Sequence, residues 1–219
     1  DNTPAALRLL GDVLGVKTGG EALAGAGEQI FSMVDRVLAK TPSAARPRIY
    51  FATSPDGLQT RARGSIDTEI TERGGGVRAV DQPRDEIIER IEGINLVEGP
   101  REKAGPINVN LAQVIAWAPD TIVTLDRDFA RSVGQSEDWR PVRAVRDRRV
   151  FLSPVLPYGF IDTPPSVNRL IGLTWLVHKL YPEHATGDLR EQVRAFYRLF
   201  YQVELSDRDV DRLLAPGGE

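Results

Sequence analysis

Three short β-prone runs, Arg48–Thr53, Thr121–Leu125 and Arg149–Ser153, are separated by segments of helical period, and this alternation constrains the fold more than any other feature. Strands joined through helices are not hairpin neighbours, so they line up in a mostly parallel α/β sheet with helices on both sides. The 219 residues suffice for one large domain or a domain and a half, and 41% hydrophobic with 27% charged residues is the composition of an ordinary folded protein. A formal net charge of −3, from 28 Lys plus Arg against 31 Asp plus Glu, supplies no overall basic field, so nucleic acid is not an expected partner. The absence of cysteine excludes thiol catalysis, disulfides and cysteine-ligated metal. No apolar run approaches the roughly 20 residues of a membrane helix, and Asp1-Asn2-Thr3-Pro4 does not open a signal peptide.

Ahead of the first strand, Pro4, Leu7, Leu10 and Leu14 predict a short amphipathic helix, and Gly15 to Gly20 a break. Leu23, Ile30, Met33, Val34, Val37 and Leu38 then predict one long helix over Glu21–Lys40, ended by Thr41-Pro42. At ~1.5 Å per residue it would be on the order of 30 Å long, the height of a domain. Beyond the strand, Ser54-Pro55-Asp56-Gly57 reads as a turn, Ser65–Arg73 as a short helix stopped by Gly74-Gly75-Gly76, and Val77–Val80 as a strand. Between Asp81 and Gly105 only a short helix over Asp85–Ile91 is legible. Asn110 caps a helix reaching Trp117, Phe129–Val145 is helical or irregular, and Pro154–Pro165 is a proline-rich loop. Two helices, over about Ser166–Leu180 and Asp188–Gln202, finish the chain.

Ligands of an open parallel sheet bind beyond the carboxyl ends of its strands, so the loops that follow the strands are the candidate site. The first offers Thr53, Ser54, Thr60, Arg61, Arg63 and Ser65, hydroxyls and guanidiniums suited to an anion or carboxylate and equally consistent with turn and cap chemistry. The last carries Tyr158, Phe160 and Asp162 in a proline-stiffened segment, which reads either as a wall for a flat or bulky ligand or as an aromatic plug over the sheet edge. Asp126 and Asp128 are candidates for acid–base work or for a solvated helix entry. His178 and His184 are not spaced as metal ligands, and no nucleophile elbow accompanies them. Gly74-Gly75-Gly76 follows a helix instead of opening one, the wrong polarity for a phosphate loop.

The run Ala112-Gln113-Val114-Ile115-Ala116-Trp117-Ala118-Pro119-Asp120-Thr121-Ile122-Val123, followed by Trp139 and by Val142-Arg143-Ala144-Val145-Arg146-Asp147-Arg148-Arg149-Val150-Phe151, resembles the closing half of bacterial class III substrate-binding proteins. These serve ABC importers of iron-siderophore complexes, haem, cobalamin and, in one branch, molybdate or tungstate. Pro164-Pro165-Ser166-Val167-Asn168-Arg169-Leu170-Ile171-Gly172-Leu173-Thr174-Trp175-Leu176, ending in Leu180-Tyr181-Pro182-Glu183, is similar to the iron-complex and molybdate-like branch, as is Ser54-Pro55-Asp56-Gly57-Leu58-Gln59-Thr60 with Gly64-Ser65. The likeness runs from about Leu7 to Leu214.

The resemblance implies a three-layer αβα, Rossmann-like lobe over residues 46–219, preceded by a helical segment over residues 1–45 whose long helix joins two lobes. The other, N-terminal lobe would lie before Asp1, so the chain is expected to be either trimmed or a natural half-protein. The implied activity is capture of an iron-siderophore-like metal chelate for an inner-membrane ABC permease, in the periplasm or lipid-anchored outside the inner membrane, without catalysis and without a cofactor of its own. Thr53, Arg63, Ser65, Tyr158, Phe160 and Asp162 would face the cleft, and no protein-bound metal site is expected. Alternatives are a molybdate or tungstate carrier, a stand-alone sensor or interaction module, and an enzyme with Asp126 or Asp162 as base. The family glutamate that meets permease arginines corresponds here to Ala112, which puts that docking contact in question.

Overall fold

The computed structural model describes residues 2–42, 45–61, 73, 77–78, 106–161 and 166–215. Helix α1 (Thr3–Val13) and helix α2 (Lys17–Lys40) form an antiparallel pair, with Pro4 beside Gly27 and Gly11 beside Gly20. Arg8 of α1 binds both Glu21 (2.8 Å) and Glu28 (2.6 Å) of α2. The long helix starts before the expected Glu21: of the expected break, Gly15 lies in the turn between the two helices, whereas Gly19 and Gly20 lie inside α2. A Cβ on Gly20 would stand 2.8 Å from the Leu7 carbonyl oxygen and 2.9 Å from Gly11 Cα, so these glycines allow two helix backbones to touch. Leu9, Leu10, Val13, Leu14 and Val16 remain exposed around the turn of the pair.

Four strands form a parallel sheet in the order β3 (Val77–Arg78), β1 (Arg48–Ala52), β5 (Thr121–Thr124), β6 (Val150–Leu152). Every residue of β5 is buried, as expected for a strand covered on both faces. Successive side chains enter different cores. Ile49, Phe51 and Val123 join α2 and the later helices α6 (Arg169–Leu180) and α7 (Leu189–Tyr201). Tyr50, Ala52 and Ile122 instead meet Val114 of α3 (Leu111–Trp117), Phe129 of α4 (Arg127–Ser132), Ala144 of α5 (Arg143–Arg146) and Trp139, whose ring packs edge-on against Phe129 at 4.9 Å. The three-layer αβα architecture is thereby present.

Helix α6 is buried on nearly every side, from Leu170 through Val177. Gly172 makes this possible, because a Cβ there would lie 1.9 Å from the carbonyl oxygen of Phe160. The chain departs from the expected elements in two further places. Gln59–Arg61 (β2), read as loop, pairs antiparallel with Pro106–Asn108 (β4) in a separate two-stranded ribbon. A last helix, α8 (Asp207–Leu214), follows the two expected ones; Ser206 and Asp209 close a reciprocal cap at its start, and Arg190 and Arg194 of α7 pair with Asp207 and Asp211. The helices read over Ser65–Arg73 and Asp85–Ile91 and the glycine run between them lie outside the described residues, apart from Arg73.

Two glycine substitutions test the packing. Gly172→Ala is expected to destabilise by about 3 kcal/mol through backbone overlap, whereas Gly25→Ala in α2, where a Cβ meets nothing within 4 Å, is expected to stabilise by about 0.5–1 kcal/mol. Urea unfolding of the two variants beside the parent chain measures both.

Candidate functional site at the carboxyl edge of the sheet

From β1 the chain passes to β3 on one side and later to β5 on the other, so the carboxyl ends of β1 and β5 flank the point where the winding reverses. Three described segments meet this edge: Thr53–Leu58 after β1, Leu125–Asp126 after β5, and Ser153–Ile161 after β6.

The first segment is tightly organised. Gly57 N–H donates to the Ser54 carbonyl (2.9 Å), closing the turn read from Ser54-Pro55-Asp56-Gly57. Asp56 accepts from the Ser54 hydroxyl and from Leu58 N–H, and these bonds hold its carboxyl below the usual range. The Tyr50 hydroxyl rises from the sheet to the Gly57 carbonyl (2.7 Å), and burial pushes that phenol up. Thr53 is half-buried; its N–H and hydroxyl both donate to the Gln59 carbonyl, at 2.8 and 3.2 Å. Gln59 in turn donates to the Asn108 side chain across the ribbon (3.2 Å), and Asn110 caps α3 in a reciprocal bond pair with Gln113. Thr60 is fully buried, and its hydroxyl has no hydrogen-bond partner among the described residues. Hydroxyls and amides therefore dominate this corner.

After β5, the Thr124 hydroxyl accepts from Asp126 N–H (3.0 Å), and the Asp126 carboxylate accepts from Phe129 N–H (2.8 Å) as the N-cap of α4. The acid–base candidate is thus engaged in capping. His178 bonds Gln192 at 2.9 Å, and His184 lies 3.9 Å from Glu183. Among the described residues no group of three or more histidine, aspartate and glutamate side chains could hold a metal ion.

The loop after β6 separates its two aromatics. Phe160 is 0% exposed and belongs to the core against α6, so it offers no surface to a ligand; of the two readings of the aromatic loop, plug describes Phe160. Tyr158 is 44% exposed and, with Leu156 and Pro157, walls a groove of about 450 Å³ that Tyr197 and Tyr201 of α7 and Leu205 and Leu213 also line. The fully buried Asn168 ties this loop down. Its amide nitrogen donates to the Tyr158 carbonyl (2.9 Å) and to the Tyr197 hydroxyl (3.4 Å), and its oxygen accepts from the Tyr201 hydroxyl (2.7 Å). Burial pushes Tyr197 up to about 12 despite the bond to Asn168. Of the three described candidates, Thr53 directly follows β1, whereas Tyr158 and Phe160 belong to the loop after β6. Arg63, Ser65 and Asp162 lie outside the described residues.

Asn168, Gln59 and Asn108 escaped the sequence reading. Asn168 sits at a helix start, where asparagine is ordinarily a cap, and Tyr197 and Tyr201 were legible only as an apolar helix face. Nothing in the linear pattern announces that the three meet.

No established family profile matches the chain. An ABC transporter solute-binding protein from Sulfurospirillum deleyianum is similar over 97% of this chain and 61% of its own length, with a TM-score of 0.83 and 28% identity. The molybdate-binding protein MolA of Haemophilus influenzae is 31% identical over 98 residues, 43% of this chain and 28% of MolA. The structure of MolA bound to molybdate shares the fold, with a TM-score of 0.65 at 23% identity over 93% of this chain and 56% of that one. The chain thus spans less than two thirds of the length of these relatives. Its likeness to class III solute-binding proteins of ABC transporters extends through the whole described fold.

Replacing Asn168 tests the tether. Asn168→Ala is expected to cost about 2 kcal/mol, because it strands the buried Tyr158 carbonyl and weakens two tyrosine contacts. Hydrogen exchange is expected to rise first over 156–161. Tyr197 holds its proton in the folded chain beyond the ordinary value of 10.0, so its contribution is complete below about pH 10 and is lost as pH rises toward 12. Urea midpoints measured across that window are expected to fall.

Proposed function

We propose that the chain is part of the solute-binding component of an ABC importer and that it captures a small oxyanion of the molybdate type for delivery to an inner-membrane permease. The observation that carries this reading is the 98-residue stretch 31% identical to a molybdate-binding protein. The chemistry of the edge supports it. A small oxyanion is held by hydroxyls, amides and backbone N–H groups, the group types present at the corner of Thr53, Gln59 and Asn108, where it would replace the bonds that Thr53 and Gln59 now make within the corner, while the nearby Asp56 and Asp126 are occupied by donors of their own. Arg63 and Ser65 would complete the set from the following segment.

An iron-siderophore-like chelate, or another bulky complex such as haem or cobalamin, is the second reading. It is favoured by Tyr158, which presents a half-exposed ring beside an apolar groove. In that case Tyr158 and Asp162 would be the contacts. Either cargo is bound and released unchanged, so the protein is a carrier and not an enzyme.

Residues 1–45 would then be the inter-lobe segment and 46–219 one ligand-binding lobe. The exposed Leu9, Leu10, Val13 and Leu14 support that division, since so contiguous an apolar surface is ordinarily covered. No described helix is long and apolar enough to cross a membrane, which suits a protein acting in the periplasm or tethered outside the inner membrane. On α3, Ala112 is exposed together with Ile115 and Ala116, so a permease contact made by this helix would be apolar instead of charged.

Thermal unfolding of the protein isolated from its host tests the cargo. Molybdate or tungstate at about 100 times its Kd is expected to add about 2.7 kcal/mol of stability, and Arg63→Ala to abolish most of that gain. A response to ferric chelates alone would transfer the assignment to the second reading, and no response to either class would sink both.

A further inference from the structure

The opposite end of the sheet carries a different chemistry. Arg48 opens β1 and Arg149 immediately precedes β6, and both are joined through the β5 segment: Asp120 N–H donates to the Arg48 carbonyl and Ile122 N–H to the Arg149 carbonyl, each at 2.9 Å. Arg46 stands close enough to Tyr181 for its charge to oppose the upward push of burial on that phenol. Lys179, at the end of α6, brings its ammonium 5.6 Å from the Phe151 ring, and the Arg149 guanidinium lies 5.8 Å from the same ring. Arg146 and Arg148 are exposed at the corner between α5 and β6.

Among the described residues few carboxylates oppose these charges. Arg143 occupies Asp120 (2.8 Å) and Asp147 (3.3 Å), and Glu183 lies beside His184. Arg46, Arg48, Arg146 and Arg148 form no ion pair among the described residues. Arg148 adds an independent sign. Its φ of 55° is left-handed, a conformation that favours glycine, yet the corner keeps a charged side chain there.

The described carboxylates at the far end of the sheet do not cancel this local excess. A five-residue strand is about 16 Å long, while salt screens charges beyond about 10 Å at 0.1 M, so the two ends of the sheet act separately. The cations also come from several segments and spread along an edge without converging on a cavity. A diffuse field of that kind matches an extended sheet of negative charge better than a single anion.

We propose that, before it meets the permease, the protein rests on an anionic phospholipid surface through this amino-terminal edge of the sheet, with Arg146 and Arg148 leading and the ligand loops at the far end of the strands left free to load cargo; it leaves this attachment to deliver. The docking does not depend on which cargo the carboxyl edge binds. Sedimentation with vesicles of phosphatidylcholine, with and without phosphatidylglycerol, is the test. Binding is expected only with phosphatidylglycerol and is expected to vanish in about 1 M salt, where the Debye length is about 3 Å. Each neutralised arginine is expected to lower the partition coefficient about fivefold.

The variant Arg148→Gly separates docking from folding, since it relaxes the left-handed backbone: its melting temperature is expected to be unchanged or higher while vesicle binding falls. Arg146→Gln is expected to add to that loss, and Arg208→Gln on α8 to leave binding intact. The proposal is overturned by absence of binding to phosphatidylglycerol, by binding that survives Arg146→Gln with Arg148→Gly, or by an equal loss with Arg208→Gln. Capture by soluble polyglutamate without vesicle binding would likewise overturn it, in favour of an acidic protein partner. Thermal shifts with molybdate in the same variants are expected to match the parent chain, so a failed cargo assignment is read separately.

Discussion

The pairing of β1 with β5 is the contact on which the rest of the molecule depends. Four residue pairs, Ile49 with Thr121 through Ala52 with Thr124, stand in register, and all eight side chains are buried. Because neighbours along each strand enter opposite cores, a slip of one residue would exchange two unlike sets. One core is built around Trp175, Leu176 and the aromatics of α7, the other around Phe129 and Trp139. Neither core could accept the other's residues at native packing density. The register therefore decides which loops reach the carboxyl edge and which arginines reach the amino edge.

The ends of β5 show how this central strand passes into the two edges. Thr121 and Thr124 are both fully buried, yet their hydroxyls are used: Thr121 accepts from Arg149 at the amino end, and Thr124 accepts from Asp126 N–H at the carboxyl end. A valine at either position would fit the strand but leave the neighbouring donor without its partner. The polarity of the sheet is thus written into two residues that, taken alone, look like ordinary β-formers. The carboxyl end leads to hydroxyls and amides, the amino end to guanidiniums.

Much of the frame was legible in the sequence because it rests on period. The apolar repeat of α2, the buried run Thr121–Thr124 and the aromatic face of α7 identify themselves, and the turn Ser54-Pro55-Asp56-Gly57 is chemically explicit. Features that depend on contact between distant segments were not. Gly20 reads as a helix breaker until Gly11 is found against it. The ribbon of β2 and β4 joins residues almost fifty positions apart, with only three paired positions and a proline in one strand. Helix α8 has few apolar residues and is held by charges on α7, which no periodicity reveals. Within the candidate site, loop position singles out the segment after β6 but does not distinguish Tyr158 from Phe160. Which of the two turns inward is decided by Gly172, twelve residues further on, where the missing side chain admits the Phe160 backbone.

That inward turn also explains why a neutral amide anchors the loop. Once Phe160 is seated against α6, the Tyr158 carbonyl is drawn toward the interior and requires a donor, while the Tyr197 and Tyr201 hydroxyls approach from α7. A charged side chain in that position would bring a desolvation cost that these partners offset poorly. An apolar one would leave the carbonyl unsatisfied. Asparagine offers donor and acceptor from one short, uncharged group, so Asn168 can meet the loop and both tyrosines at once. The loop that presents Tyr158 to solvent is consequently held by the same helix that closes the core. The backbone beneath the half-exposed Tyr158 ring is thus fixed by a support shared with α7.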